Sequence, residues 1–468
     1  MRLGIIIFFG LLLSVGTGHT ATYTALSCEN KTGQTDVQDA VNSASDGDTV
    51  IVPAGSCSWD TALEITKIIR LRGAGVGLTN ITSGVATGVN SYTIKYDPVN
   101  ATADYLFEVT GFSFTIPGQR NGLVIYQSHS TTAELKKTRI HHNIFTNNTL
   151  GYYVFTAQAN FDSAVVDNNT FNGFQSFQIG GKDTDTWENL TAVHGSGKGL
   201  YFEDNTYNGT ISSAFNDGFQ GSRWTVRYNH LINDQDESNV FATDMHGNQP
   251  SATGAMSGEL YGNLITDPNN RVTKTLDLRG GKAIVFNNYN TSTRADFYGV
   301  VIRNEYADSV NPVVNPAGQP QYTSDSYFWN DWTAGGKKVA IQQNAYSVDG
   351  PDTWGEVFEG QQFWRMTNTG TFDGTGRATA GGGVGCGTLA ARPATCTTGV
   401  AYWATNQRCD NLDGMVGVSP STPISGTLYK CTSTDTWGEP YYTPYTYPHL
   451  LRRLGNQLSG GVVVGGTF

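Results

Sequence analysis

Four short stretches place an ionisable or amide side chain just ahead of glycine. They are Gln178 before Gly180-Gly181, Asp217 before Gly218, Asp244 and His246 before Gly247, and Asp277 and Arg279 before Gly280-Gly281. If these stretches lie side by side, Asp217, Asp244, His246, Asp277 and Arg279 form one cluster fit for proton transfer. Two neighbouring carboxylates push their proton affinities apart, one staying protonated while the other ionises. A histidine moves a proton near neutral pH. An arginine grips a carboxylate in a planar fork. Asp217, Asp244 and Asp277 also offer the oxygen donors that Ca²⁺ takes, and no EF-hand or zinc spacing occurs, so the expected cofactor is none or Ca²⁺. A salt-bridged column with a purely structural role uses the same residues.

Whether they meet depends on a repeat over residues 138–290. Its copies are Ile140-His141-His142-Asn143-Ile144-Phe145, Val166-Asp167-Asn168-Asn169-Thr170-Phe171, Phe202-Glu203-Asp204-Asn205-Thr206-Tyr207, Val226-Arg227-Tyr228-Asn229-His230-Leu231 and Leu260-Tyr261-Gly262-Asn263-Leu264-Ile265. A weaker copy is Val285-Phe286-Asn287-Asn288-Tyr289-Asn290, and successive asparagines are 26, 36, 24, 34 and 25 residues apart. A period in the twenties with insertions is a solenoid signature. Within each copy apolar and polar residues alternate, as in a half-buried strand. The expected fold is all-β: a parallel β-helix, each coil burying its apolar face against the next. The recurrent asparagines are expected at corners, where Asn tolerates left-handed backbone, and in a ladder with a rung about every 4.8 Å.

Registered on the asparagines, Ile140, Val166, Phe202 and Val226 point inward, as do Thr138, Ala164, Leu200 and Trp224. His141, Asp167, Glu203 and Arg227 point outward, beside Lys137, Arg139, Tyr201, Arg223, Glu259 and Lys282. This mixed-charge face is either a solvated surface with cross-strand ion pairs or part of a ligand-binding face through Arg223, Arg227, Glu203 and Gln178.

The chain has 468 residues, a net charge of −11, 56 glycines and 12% aromatics. Its acidity argues against nucleic acid as a partner and requires any anionic ligand to meet a local basic patch. Residues 1–21 read as a secretory signal, with Arg2 ahead of an apolar run too short to span a bilayer. No later segment reads as membrane-spanning. Six cysteines in an exported chain suggest disulfides. Cys28 and Cys57 are the natural first pair, while Cys386, Cys396, Cys409 and Cys431 leave their connectivity open. A helix with Val37, Ala40 and Val41 on one face, capped by Thr35 or Asp36, is expected to close the first coil. The β-helix is expected over 22–376 and a Gly-rich linker over 377–391. A small Cys- and aromatic-rich module with a tail is expected over 392–468. The solenoid ends and the strand-prone tail patch at 462–464 are candidate sites of self-association.

Asp36-Val37-Gln38-Asp39-Ala40-Val41, Gly47-Asp48-Thr49-Val50-Ile51-Val52-Pro53-Ala54-Gly55 and Ile69-Arg70-Leu71-Arg72-Gly73, with the Asn phrases, resemble right-handed parallel β-helix proteins of the pectate-lyase-like superfamily. The resemblance covers roughly residues 30–310. It implies a right-handed helix and an extracellular polysaccharide as partner, but that superfamily hosts lyases, hydrolases and adhesins alike. No pair of arginines flanking a proline occurs in the coils. Val193-His194-Gly195 and Met245-His246-Gly247 only faintly echo the His-Gly element of polygalacturonases. Lyase chemistry would use Arg223 and Arg279 as carboxylate clamps and Asp217, Asp244 and His246 for acid–base work or cation binding. Hydrolysis would use a carboxylate pair. A non-catalytic adhesin, tailspike-like fibre or self-assembling structural protein would need no site.

Overall fold

The repeat folds into three long sheets, because each coil contributes a strand to each of them. The computed structural model describes residues 20–454 apart from 87–90, 119–120, 129–132, 148–152, 174–176, 182–189, 210–215, 234–239, 248–252, 296–297, 306–321, 338–339, 344–353 and 356. The signal segment therefore lies almost wholly outside the described residues, and the 462–464 patch lies entirely outside them. The described strands form a 12-stranded, an 11-stranded and a 10-stranded sheet, each joining strands from successive coils. Nearly all pairings are parallel, such as Ala164↔Leu200, Phe171↔Tyr207 and Gln178↔Asp217. This is the parallel β-helix expected from the repeat. The inward positions are buried as expected, with Ile140, Val166, Phe202, Val226, Thr138, Ala164, Leu200 and Trp224 all in the core. Phe114, Phe145 and Phe171 stack on adjacent rungs with ring centroids 5.1 and 5.4 Å apart. Each such fully buried ring contributes about 1.5–3 kcal/mol of apolar transfer.

The asparagine ladder is continuous. Asn143, Asn169, Asn205, Asn229 and Asn263 each donate Nδ2 to the Oδ1 of the next asparagine at 2.9–3.1 Å. Each receiving Oδ1 also accepts the backbone N–H of the preceding asparagine. Left-handed backbone falls one residue earlier than expected, at His142, Asn168, Asp204, Tyr228, Gly262, Asn287 and Asn330. The corner is made by the residue before the ladder asparagine, whose amide faces its neighbours. A seventh rung carries Asp331, whose Oδ1 accepts from Asn288 N at 2.9 Å and Nδ2 at 3.1 Å. Burial pushes this carboxyl up to about 7, against the two bonds from Asn288.

The helix Asp36–Ser43 buries Val37, Ala40 and Val41 at the solenoid's start. Thr35 is its N-cap residue but makes no side-chain capping bond; its hydroxyl donates to Asp39 instead. Cys28 and Cys57 are bonded, and the tail pairs Cys386 with Cys409 and Cys396 with Cys431. The Gly-rich stretch 377–391 is not a linker. Its Val384–Gly387 strand pairs in parallel with Ala401–Ala404 and begins the module's four-stranded sheet. Small residues are needed there because a Cβ at Gly385 would sit 2.3 Å from the Phe372 ring.

Two substitutions test the ladder. Asn205→Ala orphans the buried backbone N–H of Asn169, while the Asn169 side-chain amide keeps the Ile140 and Asp167 carbonyls, and should cost roughly 1–3 kcal/mol in denaturant unfolding, the cost of one unsatisfied buried donor. Asp331→Asn keeps the acceptor and removes the buried charge. The raised Asp331 pKa means its stabilising contribution is full below the unfolded value of 3.8 and is lost as pH rises through about 7. Asp331→Asn should therefore stabilise by roughly 1–4 kcal/mol above pH 7 and little near pH 4, because a tenfold change in proton affinity is about 1.4 kcal/mol.

Candidate functional site

Parallel pairing without a register slip stacks equivalent side chains into columns. On the outer face of the 10-stranded sheet the pairs Gln178↔Asp217, Asp217↔Asp244 and Asp244↔Asp277 make one column. His246, Arg279 and Arg303 follow Met245, Leu278 and Ile302, themselves paired in register, and so make a second column beside it. The residues ahead of the glycines are thus neighbours in space.

His246 is the centre. Its Nε2 lies 2.8 Å from Asp217 Oδ1 and 3.3 Å from Asp244 Oδ2, and its Nδ1 lies 3.8 Å from Glu305 Oε2. Arg279 holds both rear carboxylates: Nε and a terminal nitrogen bind Asp244, and the other terminal nitrogen binds Glu305 Oε1 at 2.9 Å. Gly247 donates its backbone N–H to Glu305 Oε2 at 2.9 Å. A Cβ at Gly247 would meet Glu305 Cβ at 2.6 Å and the Arg279 carbonyl at 2.3 Å, which accounts for glycine after His246. The side chains of His246 and Asp217 keep about a fifth of their surface, 21% and 20%.

Burial disfavours the imidazolium of His246, but the Asp244 charge and the Asp217 hydrogen bond outweigh it, so its pKa is raised. Burial acts the same way on Arg279, and Asp244 and Glu305 reverse it, keeping the guanidinium charged. The cluster carries Asp217, Asp244, Asp277 and Glu305 against Lys274, Arg279 and Arg303. Protonating His246 balances those charges, in keeping with the direction of its shift.

The predicted acidic trio divides. Asp277 is gripped by Lys274 at 2.7 Å and Arg303 at 3.0 Å through Oδ2. The donor atoms that come within 4.8 Å of one another belong to Asp217, Asp244 and His246. These three residues could hold a metal ion, and the nitrogen donor suits a first-row transition metal better than Ca²⁺. Glu305 behind Nδ1 stands where a carboxylate commonly orients a ligating histidine.

The second predicted face is sealed. Arg227 and Glu203 are fully buried and pair at 2.6 Å. Arg227 also donates to the carbonyls of Tyr445 and Thr446, and Arg452 bridges Glu203, Asp204 and Asp167. Arg139 forks onto Asp167 at 2.8 and 2.9 Å. Arg223 is buried against Glu134 at 2.6 Å. Arg227 and Glu203 are therefore buried under the C-terminal segment, whereas Arg223 is buried by its pairing with Glu134 and the Phe161 carbonyl. Arg279 is engaged by two carboxylates, Asp244 and Glu305, and holds them in position. Gln178 remains beside Asp217, partly exposed. The tail aromatics pack inward: Tyr442 bonds Glu259 at 2.6 Å, and Tyr447 packs on Tyr228.

Sequence reasoning missed Glu305, Lys274 and Arg303. The available signal was Arg303 following Ile302 as Arg279 follows Leu278, but no glycine marks that coil.

No protein-family model and no curated protein matches the chain. Among solved structures it is similar to an alginate lyase from Paenibacillus sp. (13% identity, TM-score 0.35, 58% of this chain and 95% of that one). It is also similar to a PL6 family polysaccharide lyase from Pseudopedobacter saltans (14%, 0.35, 75% and 83%). A third similar structure is the ORF18 protein of Geobacillus virus E2 (14%, 0.31, 58% and 57%). At these scores none of the three bears on the chemistry of the site. Among the described residues no helix is long and apolar enough to cross a membrane.

The His246 environment predicts a pH slope. A raised pKa contributes stability that is complete below the unfolded value of 6.5 and lost as pH rises through the folded value. Wild type should lose stability between pH 6 and alkaline pH, read as a falling denaturation midpoint, and His246→Asn should flatten that loss.

Proposed function

We propose that this chain is a secreted enzyme that cleaves an extracellular, acidic polysaccharide at the Asp217–Asp244–His246 cluster, by β-elimination in preference to hydrolysis. One observation carries the reading: a partly exposed imidazole sits between two carboxylates, with a third behind it. The ring lies with Nε2 against Asp217 and Asp244 and part of its side chain exposed, which supports a role in passing a proton between these carboxylates and a ligand on the outer face. Arg279 holds Asp244 and Glu305 in place.

Elimination is favoured because hydrolysis needs two carboxyl groups flanking the glycosidic bond, about 5–5.5 Å or 6.5–9.5 Å apart, with one isolated as the acid. Here both aspartates converge on one histidine. Elimination needs a base for the proton beside the uronate carboxylate and a cation to neutralise that carboxylate. The Asp217, Asp244 and His246 donors support a second reading of the same site, in which a bound divalent cation supplies that charge. Three disulfides support an oxidising, extracellular setting.

The test is ultraviolet absorbance of unsaturated uronate ends alongside a reducing-end assay, over uronate-containing and neutral polysaccharides, with and without chelator. Absorbance lost in His246→Ala and insensitive to chelation assigns His246 to proton transfer. In that case kcat/KM should climb with pH above 6.5, since the base form appears only past the raised pKa. Absorbance lost on chelation and restored by a divalent metal assigns the cluster to coordination. Reducing ends without absorbance would replace elimination by hydrolysis. Silence across the panel would remove the enzymatic reading and leave a binding or structural β-helix protein.

A further inference from the structure

A second site lies on another face, where the last rungs meet the C-terminal module. Tyr289 and Trp332 are register partners on adjacent strands of the 11-stranded sheet. Both point outward and are only partly buried, while Asn290 and Thr333 beside them turn inward. Opposite them runs the loop following Cys409, tied down by the Cys386–Cys409 disulfide. Asp410, Asn411, Leu412 and Asp413 of this loop close a cavity of about 480 Å³ over the two rings. The loop is ordered from within: Asp413 N donates to Asn411 Oδ1 at 2.7 Å, and Asn411 Nδ2 donates to Asp413 Oδ2 at 2.8 Å.

We propose that this cavity binds a neutral pyranose unit of a glycan. The volume lies within the range of small-molecule sites, roughly 300–1,000 Å³. Two aromatic side chains on adjacent strands offer apolar faces that suit the C–H face of a sugar ring. Carboxylate and amide oxygens opposite them accept hydroxyl protons. The charged groups lining the cavity are Asp413 and Asp410, the latter paired with Arg408, so Asp413 is the charge that disfavours a uronate there. The proposal is independent of the chemistry assigned to His246, which stands on a different sheet. The site would anchor the protein on a neutral stretch or branch of a polysaccharide.

Calorimetric titration of the full chain with neutral, amino and uronate oligosaccharides tests it. The expected result is binding of a neutral oligosaccharide, weakened about tenfold or more by Trp332→Ala and by Asp413→Lys, and unchanged in His246→Ala. Asp413 is exposed, so Asp413→Lys decides the matter if Trp332→Ala fails to fold. Binding confined to uronates overturns the proposal, as does binding that both cavity variants leave unchanged. Binding of amino sugars alone, or of no oligosaccharide, overturns it too.

Discussion

The amide-to-amide bond between consecutive asparagines sets the register of the coils from Asn143 to Asp331. Each Oδ1 takes two N–H groups, and each Nδ2 also reaches a strand carbonyl, as Asn205 does at Val166. The group is neutral, so its burial carries no Born penalty, and its donors and acceptors are satisfied by the next copy of itself. A strand slipped by one residue would turn every core side chain outward and break a rung at once. The ladder thereby fixes both inner and outer columns. Gln178, Asp217, Asp244 and Asp277 align because Asn169, Asn205, Asn229 and Asn263 do.

That dependence explains what could be read in advance. The coils, the inward positions, the ladder and the column ahead of the glycines all follow from short-range alternation repeated at a regular period. Two local features were misplaced by short steps. The left-handed corner belongs to the residue before each ladder asparagine, and the seventh rung is Asp331, hidden by the change from amide to acid in the phrase Trp329-Asn330-Asp331-Trp332. Alternation also states which way a side chain faces but not what later covers it. Arg227 reads as exposed in any local window, yet its partners Tyr445 and Thr446 lie 218 and 219 residues further on. Glu305 escaped for the related reason that its link to Gly247 spans 58 residues.

The two charged faces serve different ends. On the 12-stranded sheet Arg139 and Arg227 pair with Asp167 and Glu203 and with backbone carbonyls of the C-terminal segment, whose Arg452 reaches back to Asp167, Glu203 and Asp204. Buried pairs of this kind gain little net stability over an apolar contact, because desolvation offsets the attraction. Their geometry is demanding, and each pair ties the C-terminal segment to a particular rung. The neighbouring aromatic seam of Tyr261, Phe286 and Trp329, with centroids 4.7 and 4.3 Å apart, supplies the apolar burial that drives docking.

A shifted proton affinity alone would point elsewhere than His246. Burial lifts Glu259 and Asp331 each to about 7, while His449 is driven down to about 4. Perturbed groups mark functional sites only when a reactant can reach them. Glu259 is sealed between Tyr442 and Gly195 N, Asp331 caps the ladder, and His449 lies under Tyr201 and Tyr445. Their shifts record the cost of burial within a docked interface or a rung. His246 differs in kind: its shift is set by named carboxylates against burial, and its ring keeps surface on the outer face. Proton transfer to an external ligand requires both properties, and of these four groups His246 has both.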